Sequence, residues 1–397
     1  MAISRKVKNA LEGASWIRRM FEEGEELRRR YGAENVYDFS IGNPDLEPPA
    51  SFKSALKELA EHPISGMHRY MPNNGYSETR RMIAQYLSED SGLPFGENHV
   101  VMTVGAAGGL NVVFKALLDE GDEVVVPSPY FVEYKFYADN HGGQVRIVET
   151  NEDFSLNLGE IEKAITGRTK IILINSPHNP TGVIYGKESI EKLGELLKKK
   201  SVELKKTLFL VTDDPYRRIL YDGSELPDTF RYYPHTIRVT SHSKDLSLAG
   251  ERIGYVAVSP LCEDAGEIMS AMVFANRVLG FVNAPALMQR LVASLQRSSI
   301  NIREYEERRN LFYNALRSYG YELIKPQGAF YLFPKAPGGD DLAFVRDLQL
   351  KRILVVPGRG FGRQGYFRIA YAVDRKIIEG ALPGFKEAAQ KYGLKSN

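Results

Sequence analysis

The sequence has almost no cysteine, no clustered histidines and no long hydrophobic run. Its one cysteine, Cys262, excludes a disulfide within the chain. The seven histidines form neither an HxxxH nor an HxH pair, so we predict no metal site. Residues 1–16 lack the apolar core of a signal peptide, and nowhere do about 18 apolar residues follow one another. We therefore expect a protein of the reducing cytoplasm that has no membrane partner.

An excess of charge of one sign is also absent. Lysine and arginine total 52 against 50 acidic residues, which gives a formal net charge of +2 and no basic patch of the kind that binds nucleic acid. The composition, 43% apolar and 26% charged, is that of a globular protein. At 397 residues the chain is too long for one hydrophobic core and suits two or three domains.

Seven short apolar runs, rich in β-branched residues, alternate with helical segments between residues 52 and 280. The runs cover 99–104, 122–127, 144–149, 170–175, 207–212, 236–241 and 253–258. They are nearly continuous in apolar residues, as in strands that are buried on both faces of a parallel sheet. We therefore predict an α/β fold with a large, doubly wound, mostly parallel seven-stranded sheet.

After residue 285 the pattern becomes that of a smaller α+β domain. Apolar runs at 328–334, 352–358 and 366–372 lie among a long or broken helix (285–318), a helix at 341–350 and a C-terminal helix. An amphipathic helix at 7–31 has no partner in the large sheet, so we expect it to pack with this C-terminal part. The predicted domains are 1–44 (N-terminal helix and arm, part of the small domain), 45–285 (large) and 286–397 (small).

Four polar segments lie where strands end and helices begin, which is the edge at which α/β sheets bind ligands. They are VGAAGGLN (104–111), NSPHNPTG (175–182), VTDDPYRR (211–218) and SHSKDLSLAGERIG (241–254). The small residues of the first would let backbone N–H groups approach a phosphate, although they also suit close helix–sheet packing. In the second, Asn175 and Asn179 offer amides, although turn chemistry alone accounts for such a loop.

The other two segments carry charged groups. Asp213 and Asp214 end a buried strand; Asp214 before a proline resembles a helix N-cap, which leaves Asp213 to face a ligand. Lys244 is either a solvated loop lysine or, at the mouth of the sheet, an amine with a lowered pKa. Arg252 would supply positive charge and grip a phosphate. A reactive amine, an acid for a ring nitrogen and a phosphate cradle are the needs of pyridoxal phosphate.

Several motifs carry a resemblance to a known family. SIGNPD (40–45), YMPNNGYSETR (70–80), NSPHNPTG, TDDPYRRI (212–219), SHSKDLSLAGERIGY (241–255) and YFRIAYA (366–372) occur in this order. Along nearly its full length the chain resembles the class I/II, fold-type I pyridoxal-phosphate aminotransferases, of the aspartate and aromatic kind. The resemblance implies pyridoxal 5′-phosphate as cofactor, a homodimer with shared active sites, and ping-pong transfer of an amino group from an L-amino acid to a 2-oxo acid such as 2-oxoglutarate.

The resemblance also implies a role for each matching residue. Lys244 would hold the cofactor as a Schiff base and move the substrate proton, and Asp213 would keep the ring nitrogen protonated. The other roles are as follows: Asn179 and Tyr216 would bond the ring hydroxylate; Ser241, Ser243, Arg252 and the backbone of Ala106 and Ala107 would hold the phosphate; Phe131 would stack on the ring, unless it is a core aromatic; Arg368, with Gly42 and Asn179, would bind the substrate carboxylate; and Tyr70 would reach the phosphate held in the partner subunit.

Two departures leave the substrate open. Where some bacterial aspartate aminotransferases of this family have a lysine for the distal carboxylate, this chain has Ala107. Others use an arginine near 277–285, where Arg277 is available. Aspartate, aromatic and broad donors all remain open. A carbon–sulfur β-lyase on the same fold is an alternative activity, and a non-catalytic binding or regulatory protein is a remote one.

Overall fold

The computed structural model describes residues 3–12 and 16–395. Its helices are α1 (Arg5–Glu12), α2 (Trp16–Tyr31), α3 (Ala50–Glu61), α4 (Ser77–Ser91), α5 (Gly105–Leu117), α6 (Glu133–Asn140), α7 (Leu158–Ala164), α8 (Lys187–Leu204), α9 (Ala265–Val278), α10 (Ala286–Ala293), α11 (Ile302–Ser318), α12 (Asp341–Leu350) and α13 (Arg375–Lys391). Its strands are β1 (Tyr37–Asp38), β2 (Val100–Thr103), β3 (Glu123–Ser128), β4 (Gln144–Glu149), β5 (Thr169–Asn175), β6 (Phe209–Asp213), β7 (Thr236–Ser241), β8 (Gly254–Val258), β9 (Tyr331–Leu332), β10 (Ile353–Leu354), β11 (Val356–Pro357) and β12 (Phe367–Ala370).

The large sheet has seven strands in the order β2-β8-β7-β6-β5-β3-β4. Strands β3 to β7 run parallel, and β8 is antiparallel to both of its neighbours. This confirms the predicted α/β class and the mostly parallel seven-stranded sheet.

Helices cover both faces of this sheet, which explains why its strands read as continuous apolar runs. In β3, Val124 and Val126 pack in one buried cluster with residues of α5 and α9. Val125, between them, packs on the other side with residues of α7 and α8. Since successive side chains of a strand point to opposite faces, a strand covered on both sides needs an apolar residue at nearly every position.

The core of the C-terminal part surrounds the small sheet β11-β12-β9 and includes a few side chains from the middle of the chain. Helices α11 and α13 pack there, and Phe39, beside β1, joins them. Strand β1 pairs in parallel with β10, so the two ends of the chain meet in this part.

The second half of the predicted N-terminal helix, α2, packs with the C-terminal part as expected, whereas Lys6 on α1 pairs with Asp139 on α6 of the large part. The predicted helix over 7–31 corresponds to α1 and α2, and residues 13–15 lie outside the described residues. Glu23 on α2 accepts a hydrogen bond from Gln349 on α12. The long helix predicted at 285–318 is broken into α10 and α11.

This architecture brings the functional segments to one edge of the large sheet. The carboxyl ends of β5, β6 and β7 lie beside the first turn of α5. Across from them stands β12 of the C-terminal part. Within residues 3–12 and 16–395, no helix combines the length and the apolar character that crossing a bilayer requires.

Candidate active site

A cavity of about 310 Å³ opens at this edge, between the large sheet and β12. All of the predicted cofactor and substrate residues except Tyr70 and Arg277 line it. They are Gly42, Ala106, Ala107, Phe131, Asn179, Asp213, Tyr216, Ser241, Ser243, Lys244, Arg252 and Arg368. The fold therefore brings together residues that are spread over more than 300 positions of the sequence.

Lys244 follows the end of β7 and is partly buried in the cavity wall. Its Nζ donates a hydrogen bond to the backbone oxygen of Gly42 at 2.6 Å. Burial, together with the positive charges of Arg368 and Arg252, lowers the pKa of this amine to about 8. A lysine in this state is neutral, and hence nucleophilic, at a far lower pH than a solvated one.

Asp213 is the last residue of β6, and its two carboxyl oxygens differ in their hydrogen bonding. The Tyr134 hydroxyl donates to its Oδ2 at 2.6 Å. Its Oδ1 is buried and has no hydrogen-bond partner among the described residues. Burial raises the pKa of this carboxyl to about 7; the Tyr134 bond opposes that rise and the Asp214 charge adds to it. A buried acceptor of this kind fits a ligand N–H group.

Asp214 has a different role from the one expected. The chain forms a turn rather than a helix after β6, so the predicted N-cap is wrong. The Asp214 carboxylate instead pairs with the fully buried guanidinium of Arg238, whose Nε lies 3.1 Å from Asp214 Oδ2. The buried ion pair explains the choice of an acid here, because a carboxylate without a partner would be costly at this depth.

Asn175 and Asn179 fix the loop that follows β5. The Asn175 side chain accepts a hydrogen bond from the backbone N–H of Asn179 at 2.7 Å and donates one to the backbone oxygen of Asp213 at 2.5 Å. The amide of Asn179 is thereby left to face the cavity, where its Oδ1 accepts from Arg368 at 3.2 Å.

A cradle for an anion lies at the first turn of α5. Gly105 has a φ of +75°, and a Cβ built there would come within 2.7 Å of the Arg252 guanidinium. Arg252 donates to the backbone oxygens of Ala249 at 2.9 Å and Val104 at 3.3 Å, so its planar group is held beside the helix start. Backbone N–H groups of a helix N-terminus and a guanidinium together favour a phosphate.

Arg368 faces the cavity from β12 and is 3% exposed. One of its terminal nitrogens bonds Asn179, the other donates to the backbone oxygen of Ser40 at 2.6 Å, and its buried Nε has no partner within the described chain. Burial lowers the pKa of this guanidinium, which is the sign of a desolvated cation without a full counter-charge. Such a group suits a carboxylate ligand.

Tyr216 and Phe131 complete the walls on either side. The Tyr216 hydroxyl is 2.6 Å from that of Tyr331, and burial raises the pKa of Tyr216 well above its ordinary value. Phe131 is half-buried and packs edge-on against Tyr134, with ring centroids 5.6 Å apart. It also touches the apolar core, so the two interpretations of this aromatic are compatible.

The sequence did not single out several residues that line the cavity. Tyr134, Glu133 and Tyr137 belong to α6, just beyond the end of β3 at the same sheet edge, and that position was a usable signal. Tyr331 gave no such signal. Its hydroxyl occupies the space that a Cβ on Gly42 would need, which explains why that position is glycine.

Two predicted residues lie outside the cavity of the single chain. Tyr70 is 90% exposed. Arg277 is exposed at the end of α9, where its guanidinium lies 5.5 Å from the ring centroid of Phe274. Their roles in a second subunit's site stay predictions.

A family model described as aminotransferase class I and II matches residues 34–383. A probable aspartate aminotransferase from Methanocaldococcus jannaschii is 32% identical over 97% of this chain and 99% of its own. Aromatic-amino-acid aminotransferase 2 from Thermococcus litoralis is 30% identical over 99% of this chain and 100% of its own.

Solved structures agree with the sequence matches. An aminotransferase from Eubacterium rectale superposes with a TM-score of 0.95 at 39% identity, covering 99% of this chain and 100% of that one. Fold and sequence likeness therefore extend over both parts of the molecule.

Proposed function

The chain belongs to the class I and II aminotransferases, and we propose that it transfers amino groups between L-amino acids and 2-oxo acids. The cofactor of this reaction would be pyridoxal 5′-phosphate, held in the cavity. Aminotransferases of this kind alternate two half-reactions, so donor and acceptor use the same site in turn. The observation that carries the proposal is a partly buried amine of lowered pKa, Lys244, in one cavity with the unpartnered carboxyl oxygen of Asp213.

The residues present fit this cofactor at each of its functional groups. The cradle formed by the start of α5 and Arg252 suits the phosphate, and Ser241, Ser243, Ala106 and Ala107 line the cavity with it. The buried Oδ1 of Asp213 suits the protonated ring nitrogen. Asn179 and Tyr216 offer hydrogen bonds for the ring hydroxyl group, and Phe131 offers a flat apolar contact. When bound, the cofactor supplies a ring that accepts electrons from the substrate Cα.

Lys244 would act twice. Its Nζ would hold the cofactor covalently, because a neutral amine is the form that adds to an aldehyde. With the donor amino acid bound, the same nitrogen would take the proton from the substrate Cα and return a proton to the product. A pKa lowered to about 8 suits a group that must do both near neutral pH.

Arg368 would orient the substrate. Its three nitrogen positions include a buried Nε that bonds no group of the described chain, so a carboxylate can accept from it in the planar geometry that guanidinium favours. Gly42 and Asn179 lie beside it, where Gly42 leaves room and Asn179 offers a polar contact. Holding the α-carboxylate there would present Cα to Lys244.

The proposed donors are aspartate, aromatic or a broader set of amino acids, with 2-oxo acids such as 2-oxoglutarate as acceptors. The relatives support this range, since one is named for aspartate and another for aromatic amino acids. We also propose a homodimer, in which Tyr70 contributes to the site of the second subunit. The single cysteine, Cys262, is buried and unpaired, which suits a reducing cytoplasm.

Covalent attachment at Lys244 gives the direct test of this function. Borohydride reduction followed by peptide mapping should place the cofactor's mass on residue 244. Lys244→Ala should lose this label and the visible absorbance, and its transamination rate should fall by several orders of magnitude. Lys192→Ala, on the exposed face of α8, is the matched control and should behave as the wild type. A label on another lysine, or full activity in Lys244→Ala, would contradict the proposal.

A further inference from the structure

Glu133 is an acidic residue in the cavity wall that the proposed chemistry does not use. It is the first residue of α6 and lines the cavity together with Lys244 and Arg368. Its Oε2 is buried, and among residues 3–12 and 16–395 it has no hydrogen-bond partner. A buried acceptor without a partner is unfavourable by itself, which points to a ligand group that supplies the missing donor.

The charge of Glu133 interacts with other groups that line the cavity. Burial raises the pKa of its carboxyl, and a hydrogen bond from its own backbone N–H and the charge of Arg368 oppose that rise. Tyr137, one turn further along α6, also lines the cavity, and its pKa is raised by burial and by the charge of Glu133. The first effect places Glu133 within electrostatic range of Arg368, where the substrate carboxylate would bind, and the second places it near Tyr137.

The cations that line the cavity all have other tasks. They are Lys244, Arg252 and Arg368, and the proposed function assigns them to the cofactor, its phosphate and the α-carboxylate. Ala107, where some aspartate-specific relatives have a lysine, adds no charge. Among the described residues that line the cavity, Glu133 is therefore the charged group that the proposed function leaves without a task.

We propose that Glu133 determines side-chain specificity by favouring substrates whose side chain ends in a hydrogen-bond donor, such as an amide, hydroxyl or ammonium group, over those that end in a carboxylate. A donor group would satisfy the buried Oε2. A second carboxylate would face it across a desolvated space, where like charges repel strongly. Discrimination by a buried polar group is stronger than discrimination by apolar contact, because the wrong ligand leaves that group unpaired.

This inference rests on the proposed function, since it takes Arg368 as the anchor of the α-carboxylate. It narrows the proposed range of substrates away from aspartate and 2-oxoglutarate, whose side chains end in a carboxylate. The test therefore uses two non-reacting ligands that share one carboxylate and differ only at the far end. Succinate ends in a second carboxylate, and succinamate ends in an amide of the same shape. Calorimetric titration of the enzyme with its cofactor bound measures both affinities without any turnover.

The wild type should bind succinamate at least about tenfold more tightly than succinate. Glu133→Gln removes the charge but keeps the shape, and should bring the two affinities to within about threefold of each other. Asp139→Asn is the matched control: it makes the same change on the same helix, at an exposed residue that pairs with Lys6, and should keep the wild-type ratio. Asp139→Asn should also transaminate alanine at the wild-type rate, since Asp139 lies outside the cavity lining.

Each other outcome decides against the inference. A wild type that prefers succinate, as it would if a partner-subunit cation neutralised Glu133, would overturn it. So would a ratio that Glu133→Gln leaves unchanged. If both ligands bind with equal affinity and Arg368→Ala weakens both, the specificity inference fails alone while the carboxylate anchor stands. If neither ligand binds, the proposed anchor fails and the inference fails with it.

Discussion

Burial sets the protonation states of the two groups at the centre of the cavity, and it acts on them in opposite directions. It lowers the pKa of Lys244 to about 8 and raises that of Asp213 to about 7. In both cases removal from water penalises the charged form. A cationic ring nitrogen beside Asp213 would reverse the effect there and restore the carboxylate, so the acid is prepared for a positively charged partner.

The raised pKa of Asp213 predicts a stability that depends on pH. Between the ordinary carboxyl value of 3.8 and about 7, the folded chain binds more protons than the unfolded chain. The stability linked to this group is therefore complete in acid and is lost as the pH rises through about 7. Asp213→Asn, which cannot ionise, should be more stable than the wild type at about pH 8.5, by on the order of 3 kcal/mol, and should lose that advantage toward about pH 4.

Urea unfolding of the cofactor-free proteins across this pH range measures the effect. Asp153 provides a control of opposite sign, because hydrogen bonds from Ser155 lower the pKa of its carboxyl. Asp153→Asn should thus lose stability at neutral pH, and the loss should shrink as the pH falls. An Asp213→Asn protein that is less stable than the wild type at every pH would show that the carboxylate is not held at a cost.

At the scale of single residues, the sequence could predict which functional residues follow the ends of strands. It could not predict which side chains form hydrogen bonds with them. Asp213 and Lys244 stand at such ends. The bonds from Tyr134 to Asp213 and between Tyr331 and Tyr216 join positions 79 and 115 residues apart. Such contacts depend on where α6 and β9 dock, and no local pattern carries that information.

At the scale of elements, the long buried strands were predictable and the short ones were not. The run 170–175 became β5 (Thr169–Asn175), because a strand buried on both faces is apolar along its length. The run 352–358 instead gave two short strands, β10 and β11. Val355 separates them, since β10 pairs with β1 and β11 pairs with β12. A change of partner within one apolar run leaves no mark in the sequence.

Gly254, the first residue of β8, lies close to backbone atoms of β7 and of the start of α5. A Cβ on Gly254 would meet the backbone oxygen of Thr240, the Cα of Ser241 and the Cα of Gly105. The added methyl group of Gly254→Ala should therefore push β8 away from β7 and from the start of α5. We expect this to destabilise the fold by about 1–3 kcal/mol. Because Ser241 and Gly105 border the phosphate cradle, the variant should also bind the cofactor more weakly.

Gly250→Ala is the matched control, since a Cβ at that position meets nothing within 4 Å. Thermal unfolding and fluorescence titration with pyridoxal phosphate would compare the two variants. Equal stability and equal cofactor affinity would show that β8 can move away from its neighbours at no cost.

At the scale of the whole molecule, the two ends of the chain combine with the middle to make one site. Arg368 comes from the C-terminal part, Gly42 from the segment after β1, and Lys244 from the large sheet. The packing of α2 against α12 agrees with an N-terminal contribution to the small part. The domain limits at residues 44/45 and 285/286 stay predictions, because side chains of the middle of the chain, such as Tyr216 and Tyr221, lie in the same buried cluster as the C-terminal core.

The exposed position of Tyr70 leads to a prediction about assembly. A tyrosine that is 90% exposed contributes nothing to the fold of one chain, yet the resemblance gives it a phosphate contact across a dimer. If sites are shared, Lys244→Ala and Tyr70→Ala each disable a different part of the same site. Mixed dimers would then hold one site with both defects and one with neither. Unfolding and refolding an equal mixture should restore about a quarter of the wild-type activity, although Lys244→Ala alone is inactive and Tyr70→Ala alone is weak. Activity no greater than the average of the two parents would mean that each chain builds its site alone, and Tyr70 would then need another explanation.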